Sequence, residues 1–248
     1  MRLRELCEFC NEYLKVDQFS DYCPNGLQVE ANPIVENIVC GVTASQALID
    51  AAIDAGADTL LVHHGYFWKG EAQPLVGVKG NRVASLMRNN INLLAFHLPL
   101  DAHPEVGNNA QLARIMQWQL EGSCAEQGLL FHGKLAQRQS LAELVADLES
   151  RLDTSTLAID GGGRKIERIA WCTGAAQGFI EAAADQGVDA FVSGEVSEPT
   201  YHLARELGIH YIAAGHHATE RYGVQALALE IAARFDVRQQ FIDIANPV

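Results

Sequence analysis

The chain has 248 residues, of which 48% are hydrophobic and 20% charged, and its formal net charge is −13 at pH 7. This is a globular composition, enough for one large domain or two small ones. The acidic surface repels phosphate backbones, so extensive nucleic-acid binding is not expected, and no run of about 18 apolar residues marks a membrane span.

The N-terminus, MRLRELCEFCNEYLK, interleaves charges with apolar residues, which suits an amphipathic helix and not a signal peptide. That places the chain in the cytoplasm, where Cys7, Cys10, Cys23, Cys40, Cys124 and Cys172 stay thiols. The Cys7–Cys10 pair has no second pair to complete a tetrahedral site and no preceding strand, so it reads as small residues on a helix. IVCGV is the next strand, followed by a helix over about 45–55 that ends at Gly56. TLLVHH is a short buried strand. A helix over about 81–90 and strand NLLAF follow. HLPLD, residues 97–101, is expected to be an irregular turn because Pro99 cannot sit in a helix interior. LAELVADLESRL has helical apolar spacing, and DGGGRK is a turn. RIAWCTG, a helix over about 176–186 ending at Gly187, AFVSGE, a helix over about 199–207 and HYIAA complete the alternation. The chain then enters an amphipathic helix in GHHATERYGVQALALEIAARF.

Residues 41–65 and 172–196 are self-similar at an offset of 131. Ile49 meets Ile180, Ala52 meets Ala183, Asp54 meets Asp185, Gly56 meets Gly187 and Asp58 meets Asp189. Each copy reads strand–helix–strand, a right-handed crossover. The later strands end in His97-x-x-x-Asp101 and His216-x-x-x-Glu220, at an offset of 119. The expected fold is therefore α/β: two related halves from an internal duplication, with sheets flanked by helices and a metal site in the cleft between them. The halves cover 1–118 and 165–248. Residues 119–164 match neither and read as a connecting insertion used in self-association.

Ligand sites in open α/β sheets form at strand C-terminal ends, where His63 and His64 lie. Neighbouring strand residues point to opposite faces, so the pair could diverge toward two neighbouring ions where the strand stops. Hydrogen-bonded core histidines are the alternative. Asp101 is an oxygen ligand or a turn aspartate. His216 and Glu220, four apart on one helix, share a face and can give two ligands to one ion; helix capping by Thr219 and Glu220 is the alternative. His217 should point elsewhere. Glu195 occupies the repeat position of His64 and is a candidate proton acceptor or a hydrogen-bond partner behind a ligand. Imidazoles and carboxylates without thiolates suit zinc, iron, manganese, cobalt or nickel, with positions left open for water.

SDYCPNGLQVE, GVTASQALIDAAIDAGADTLLVHHGYFWKG, HLPLDAHPEVGNNAQLA, DAFVSGEVSE and AAGHHATERYG together resemble the Nif-three-like dinuclear metal-centre family, also called GTP cyclohydrolase 1 type 2 homologues. The resemblance implies two divalent metal ions held by His63, His64, Asp101, His216 and Glu220, with Glu220 bridging. It implies His97 close by as a supporting or occasional ligand, and a ring-shaped homohexamer. The insertion 119–164 is the least family-like part.

Three functions compete. The first is a metal-dependent hydrolase acting on a small molecule or nucleotide, with Glu195 or His97 relaying protons; the family name implies opening of a purine ring. The second is a metal carrier or insertion factor, and the third a regulatory scaffold with structural metals. No GxxxxGK[ST] loop is present to hold a triphosphate. Lys69, Lys79, Arg82 and Arg221 are the basic residues near the motifs.

Overall fold

Short apolar runs become the central strands of two separate sheets. The computed structural model describes residues 1–248. Along the chain lie α1 (Leu3–Tyr13), β1 (Gly26–Val29), β2 (Asn37–Thr43), α2 (Gln46–Asp54), β3 (Thr59–His64), α3 (Gly77–Arg88), β4 (Asn92–Ala95) and α4 (Leu98–Ala102). Then follow α5 (Asn108–Met116), β5 (Gln119–Cys124), β6 (Leu130–Gln139), α6 (Leu141–Leu152), β7 (Leu157–Ile159), β8 (Ile166–Cys172), α7 (Ile180–Asp185) and β9 (Ala190–Ser193). α8 (Glu198–Leu207), β10 (His210–Ala213), α9 (His216–Phe235) and β11 (Arg238–Phe241) complete the fold. One unit comprises Met1–Gly107 with Gly223–Ala245, the other Asn108–Tyr222 with Asn246–Val248. The result is a mixed α/β fold with two sheets flanked by helices. No helix is long and apolar enough to cross a membrane.

The first sheet has the order β1-β4-β3-β2-β11, the second β5-β6-β8-β9-β10-β7. Four strands of each follow one register. Ile38 pairs with Thr59 in the first and Ile169 with Ala190 in the second, both displaced by 131 (169 − 38 and 190 − 59). The antiparallel edge repeats it: Leu27 faces Leu94, and Ala158 faces Ile212, displaced by 131 (158 − 27) and 118 (212 − 94). The sheets differ at the other edge, where β11 lies parallel to β2 while β6 runs antiparallel to β8.

Successive strand residues face opposite sides, so a strand buried on both faces feeds two cores. In the first unit Ile38, Cys40, Leu61 and Leu94 pack with Leu3, Leu6 and Cys10 of α1 and Val224, Leu227 and Ile231 of α9. Their neighbours Val39, Leu60, Val62 and Leu93 pack with Leu48 and Ile49 of α2 and Val83 and Leu86 of α3. Burying each such Leu or Ile contributes about 1.5–3 kcal/mol. Cys10 is buried and Cys7 half-buried on α1, and all six cysteines are unpaired. In the second unit Trp171, Ile169, Val192 and Ile212 pack against Leu144, Leu148 and Leu152 of α6. α6 starts on a capping box: the Ser140 hydroxyl accepts from the Glu143 N–H, and Glu143 accepts from the Ser140 N–H.

One local expectation is revised. Residues 98–102 form a short helix, not an irregular turn, because Pro99 falls in its first turn, where no N–H is needed. Residues 119–164, read from the sequence as a connecting insertion, contain β5, β6, α6 and β7, which belong to the second unit.

Candidate metal centre

His63 and His64 end β3, and each has one ring nitrogen already engaged. His63 is fully buried, and its Nδ1 lies 2.8 Å from the Phe96 carbonyl. A carbonyl can only accept, so Nδ1 carries a proton. His64 Nδ1 lies 3.1 Å from the Thr43 hydroxyl. The rings are 4.6 Å apart, centre to centre, and tilted by 47°. Strand alternation alone would separate them; the end of β3 relaxes that constraint. The Asp101 carboxylate, also buried, stands 3.5 Å from His63 Nε2.

His97 completes this group. A ligand atom from each of His63, His64 and His97 lies within 4.8 Å of the other two. Its orientation comes from a turn before β1. The Asp21 carboxylate accepts from His97 Nδ1 at 2.8 Å and from the Leu98 N–H at 3.0 Å, while Asn25 accepts the His97 N–H at 2.7 Å. Burial alone would raise the Asp21 pKa, but His97, Asn25 and the Leu98 N–H outweigh it and bring it down to about 2. Trp68 stands edge-on to His97, ring centres 5.0 Å apart, its indole N–H donating to the Gly65 carbonyl. Gly65 has no room for a side chain: a Cβ there would fall 2.2 Å from Gln28 Oε1 and 2.6 Å from Ala95 Cβ.

The second unit holds its own donor group. His216 opens α9, and its Nε2 lies 3.0 Å from Glu220 Oε2, one turn on. Its Nδ1 lies 2.7 Å from Glu195 Oε1. Burial opposes charge on this imidazole, yet Glu220 and then Glu195 outweigh it and raise its pKa to about 9. Glu220 is 2% exposed. Backbone forms one wall of its pocket: a Cβ on Gly174, whose φ is +68°, would fall 2.1 Å from Glu220 Oε1 and 3.3 Å from His216 Nε2. Thr219 pins that wall, accepting the Gly174 N–H at 3.1 Å while donating within the first turn of α9. His217 is buried, and its N–H donates to the Val248 carbonyl.

Of the basic candidates, Lys79 is tied to Glu71 and the Ala72 carbonyl and lies over Phe67. Arg221 donates to the Leu152 carbonyl and stacks on Tyr222. Asp21, Asn25, Thr43 and Gly174 were not singled out from the sequence, because their roles arise from backbone paths that spacing does not encode.

These donors fit a divalent cation. They are imidazole nitrogens and carboxylate oxygens, each ring is oriented through its other nitrogen, and a carboxylate is seated in a pocket with no space for a neighbouring side chain. The sequence profile described as Duf34/NIF3 (NGG1p interacting factor 3) matches residues 1–247. The chain belongs to the NIF3 family. A relative from Pseudomonas aeruginosa named GTP cyclohydrolase 1 type 2 homolog is 53% identical, the match covering 99% of this chain and 98% of that protein. One of the same name from Escherichia coli K12 is 51% identical over the full length of both. Among solved NIF3 relatives, the protein ybgI, described as of unknown function, superposes with a TM-score of 0.97 at 51% identity, covering both chains completely. TTHA1606 from Thermus thermophilus does so with a TM-score of 0.92 at 34% identity, again over both whole chains.

Proposed function

We propose that this NIF3 protein is a cytoplasmic metal-dependent hydrolase whose His63, His64, Asp101, His216 and Glu220 hold a pair of divalent cations. One observation carries the reading: His63, His64 and His216 each have Nδ1 held by a protein group, which fixes the orientation of each ring. Histidines that serve metals are held in this way. Glu220 is the bridging carboxylate in this reading, buried and backed by Gly174. When bound, the cations supply Lewis acidity and make water nucleophilic at neutral pH. Glu195 holds His216 in its tautomer, and His97, backed by Asp21, stands ready to accept or return a proton at its outward nitrogen. The substrate is a small molecule attacked at carbon or phosphorus; the name borne by the relatives points to a purine ring. The chain assembles as a hexameric ring in this reading, which a solution mass measurement tests.

The test is elemental analysis of freshly purified protein, prepared anaerobically, followed by a substrate screen with the native metal restored. Two transition-metal ions per chain and turnover lost in Glu220→Ala support the proposal. Fewer than one ion per chain sinks it. Full metal content with transfer to an acceptor protein and no turnover reassigns the chain as a metal carrier.

A further inference from the structure

The turn leading into β1 carries a second constellation of donors that shares only His97 with the histidine pair. Asp21, Cys23 and His97 each offer a ligand atom, and these three atoms lie within 4.8 Å of one another. All are well covered: the side chains of Asp21 and His97 are 4% and 14% exposed, and Cys23 is 6% exposed. A buried thiol ordinarily behaves as a small hydrophobe among apolar neighbours. Cys23 instead lies beside a carboxylate–imidazole pair. Burial, and then the Asp21 charge, push its pKa up to about 12, so without a cation it keeps its proton.

We infer that Asp21, Cys23 and His97 form a further metal position, suited to a soft divalent cation of the zinc, cobalt or cadmium type. One sulfur, one nitrogen and one oxygen donor, with water completing a tetrahedron, match such an ion. On binding, the Cys23 proton leaves to solvent and the imidazole ligates as the neutral ring. Thiolate and carboxylate then cancel the double positive charge, which removes the cost of burying it. Ligands on one tetrahedral ion keep about 3.3 Å between them. Asp21 and His97, now at 2.8 Å, must part by about half an ångström. Because His97 belongs to both groups, it serves one cation or the other. The position is a staging point beside the His63–His64 pair and not a permanent third ion. The inference goes beyond the proposed hydrolase centre and uses residues of one unit only, so it stands or falls separately.

Cobalt(II) titration of the metal-depleted full chain tests it, because only thiolate ligation produces a near-ultraviolet sulfur-to-cobalt charge-transfer band. The band is expected in the native protein and in Glu220→Gln, and at least tenfold weaker in Cys23→Ser at equal cobalt. Its absence from the native protein at saturation, or its persistence in Cys23→Ser, overturns the assignment. Should Cys23→Ser fail to fold, alkylation of the native protein mapped by mass spectrometry decides. Cobalt must slow modification of Cys23 at least tenfold and leave Cys124 unaffected; equal rates at Cys23 with and without cobalt overturn the site. Loss of bound metal in Glu220→Gln with the band retained would separate this position from the proposed pair.

Discussion

One spacing produces two different constellations in the two units. In His216-x-x-x-Glu220 the motif closes on itself, with Glu220 3.0 Å from its own histidine. In His97-x-x-x-Asp101 it opens: Asp101 turns to His63 at 3.5 Å, and His97 turns to Asp21 at 2.8 Å. The cause lies in the backbone at the first residue. His216 is already helical, the first residue of α9, so residues four apart share a face. His97 precedes α4 with φ −103° and ψ −108°, so its side chain leaves in another direction. A sequence interval therefore fixes a distance along the chain, whereas the conformation at its first residue decides which partners meet.

The largest test of this contrast is Glu220→Gln. If the closed motif is the anchor of the proposed centre, metal affinity falls by more than the roughly 10–100-fold typical of losing an outer partner. Asp101→Asn, in the open motif, should cost less. Competition with a chromophoric chelator measures both, and equal losses would erase the distinction. Next come the groups behind the rings. Glu195→Gln replaces a charged acceptor on His216 and should lower metal affinity about 10–100-fold, while Thr43→Val behind His64 should cost less, having removed only a neutral hydroxyl. The reverse order would mean that orientation matters more than charge.

Gly174→Ala tests the wall of the closed motif. The left-handed backbone alone costs about 1–2 kcal/mol, and the added methyl must displace Glu220. Urea unfolding should show that loss, together with weaker metal binding; native stability and affinity would mean that the loop relaxes freely. The smallest effect is expected at the open motif. The folded pKa of Asp21, about 2, lies below its ordinary 3.8. Its contribution is therefore complete above pH 4 and is lost as pH falls through about 2. After allowance for solvent screening it amounts to about 1 kcal/mol. Asp21→Asn should flatten the acid limb of the stability curve by that amount, and an unchanged limb would show that the carboxylate does not hold this turn.

The parallel strands were legible because burial on both faces leaves uninterrupted apolar runs such as TLLVHH and AFVS, and His63 and His64 stood out because they end the first of these runs. β5, reading QLEGSC, offered no such signal: it is largely exposed, and Leu120 and Cys124 are its only apolar side chains. α4 was hidden by Pro99, whose effect depends on its place in the helix. Asp21 and Thr43 escaped because each meets its histidine across long chain separations, 76 residues for Asp21 and His97 and 21 for Thr43 and His64.

The hydrogen bond from His63 to the Phe96 carbonyl has a further consequence. It joins the end of β3 to the residue after β4, so the ring is aimed when those strands dock, long before any ligand arrives. The entropy of ordering that side chain is spent during folding and need not be found again at the binding step. If the proposed centre forms, uptake at His63 should proceed without rearrangement of the surrounding chain, and the metal-free and loaded forms should share the same strand ends.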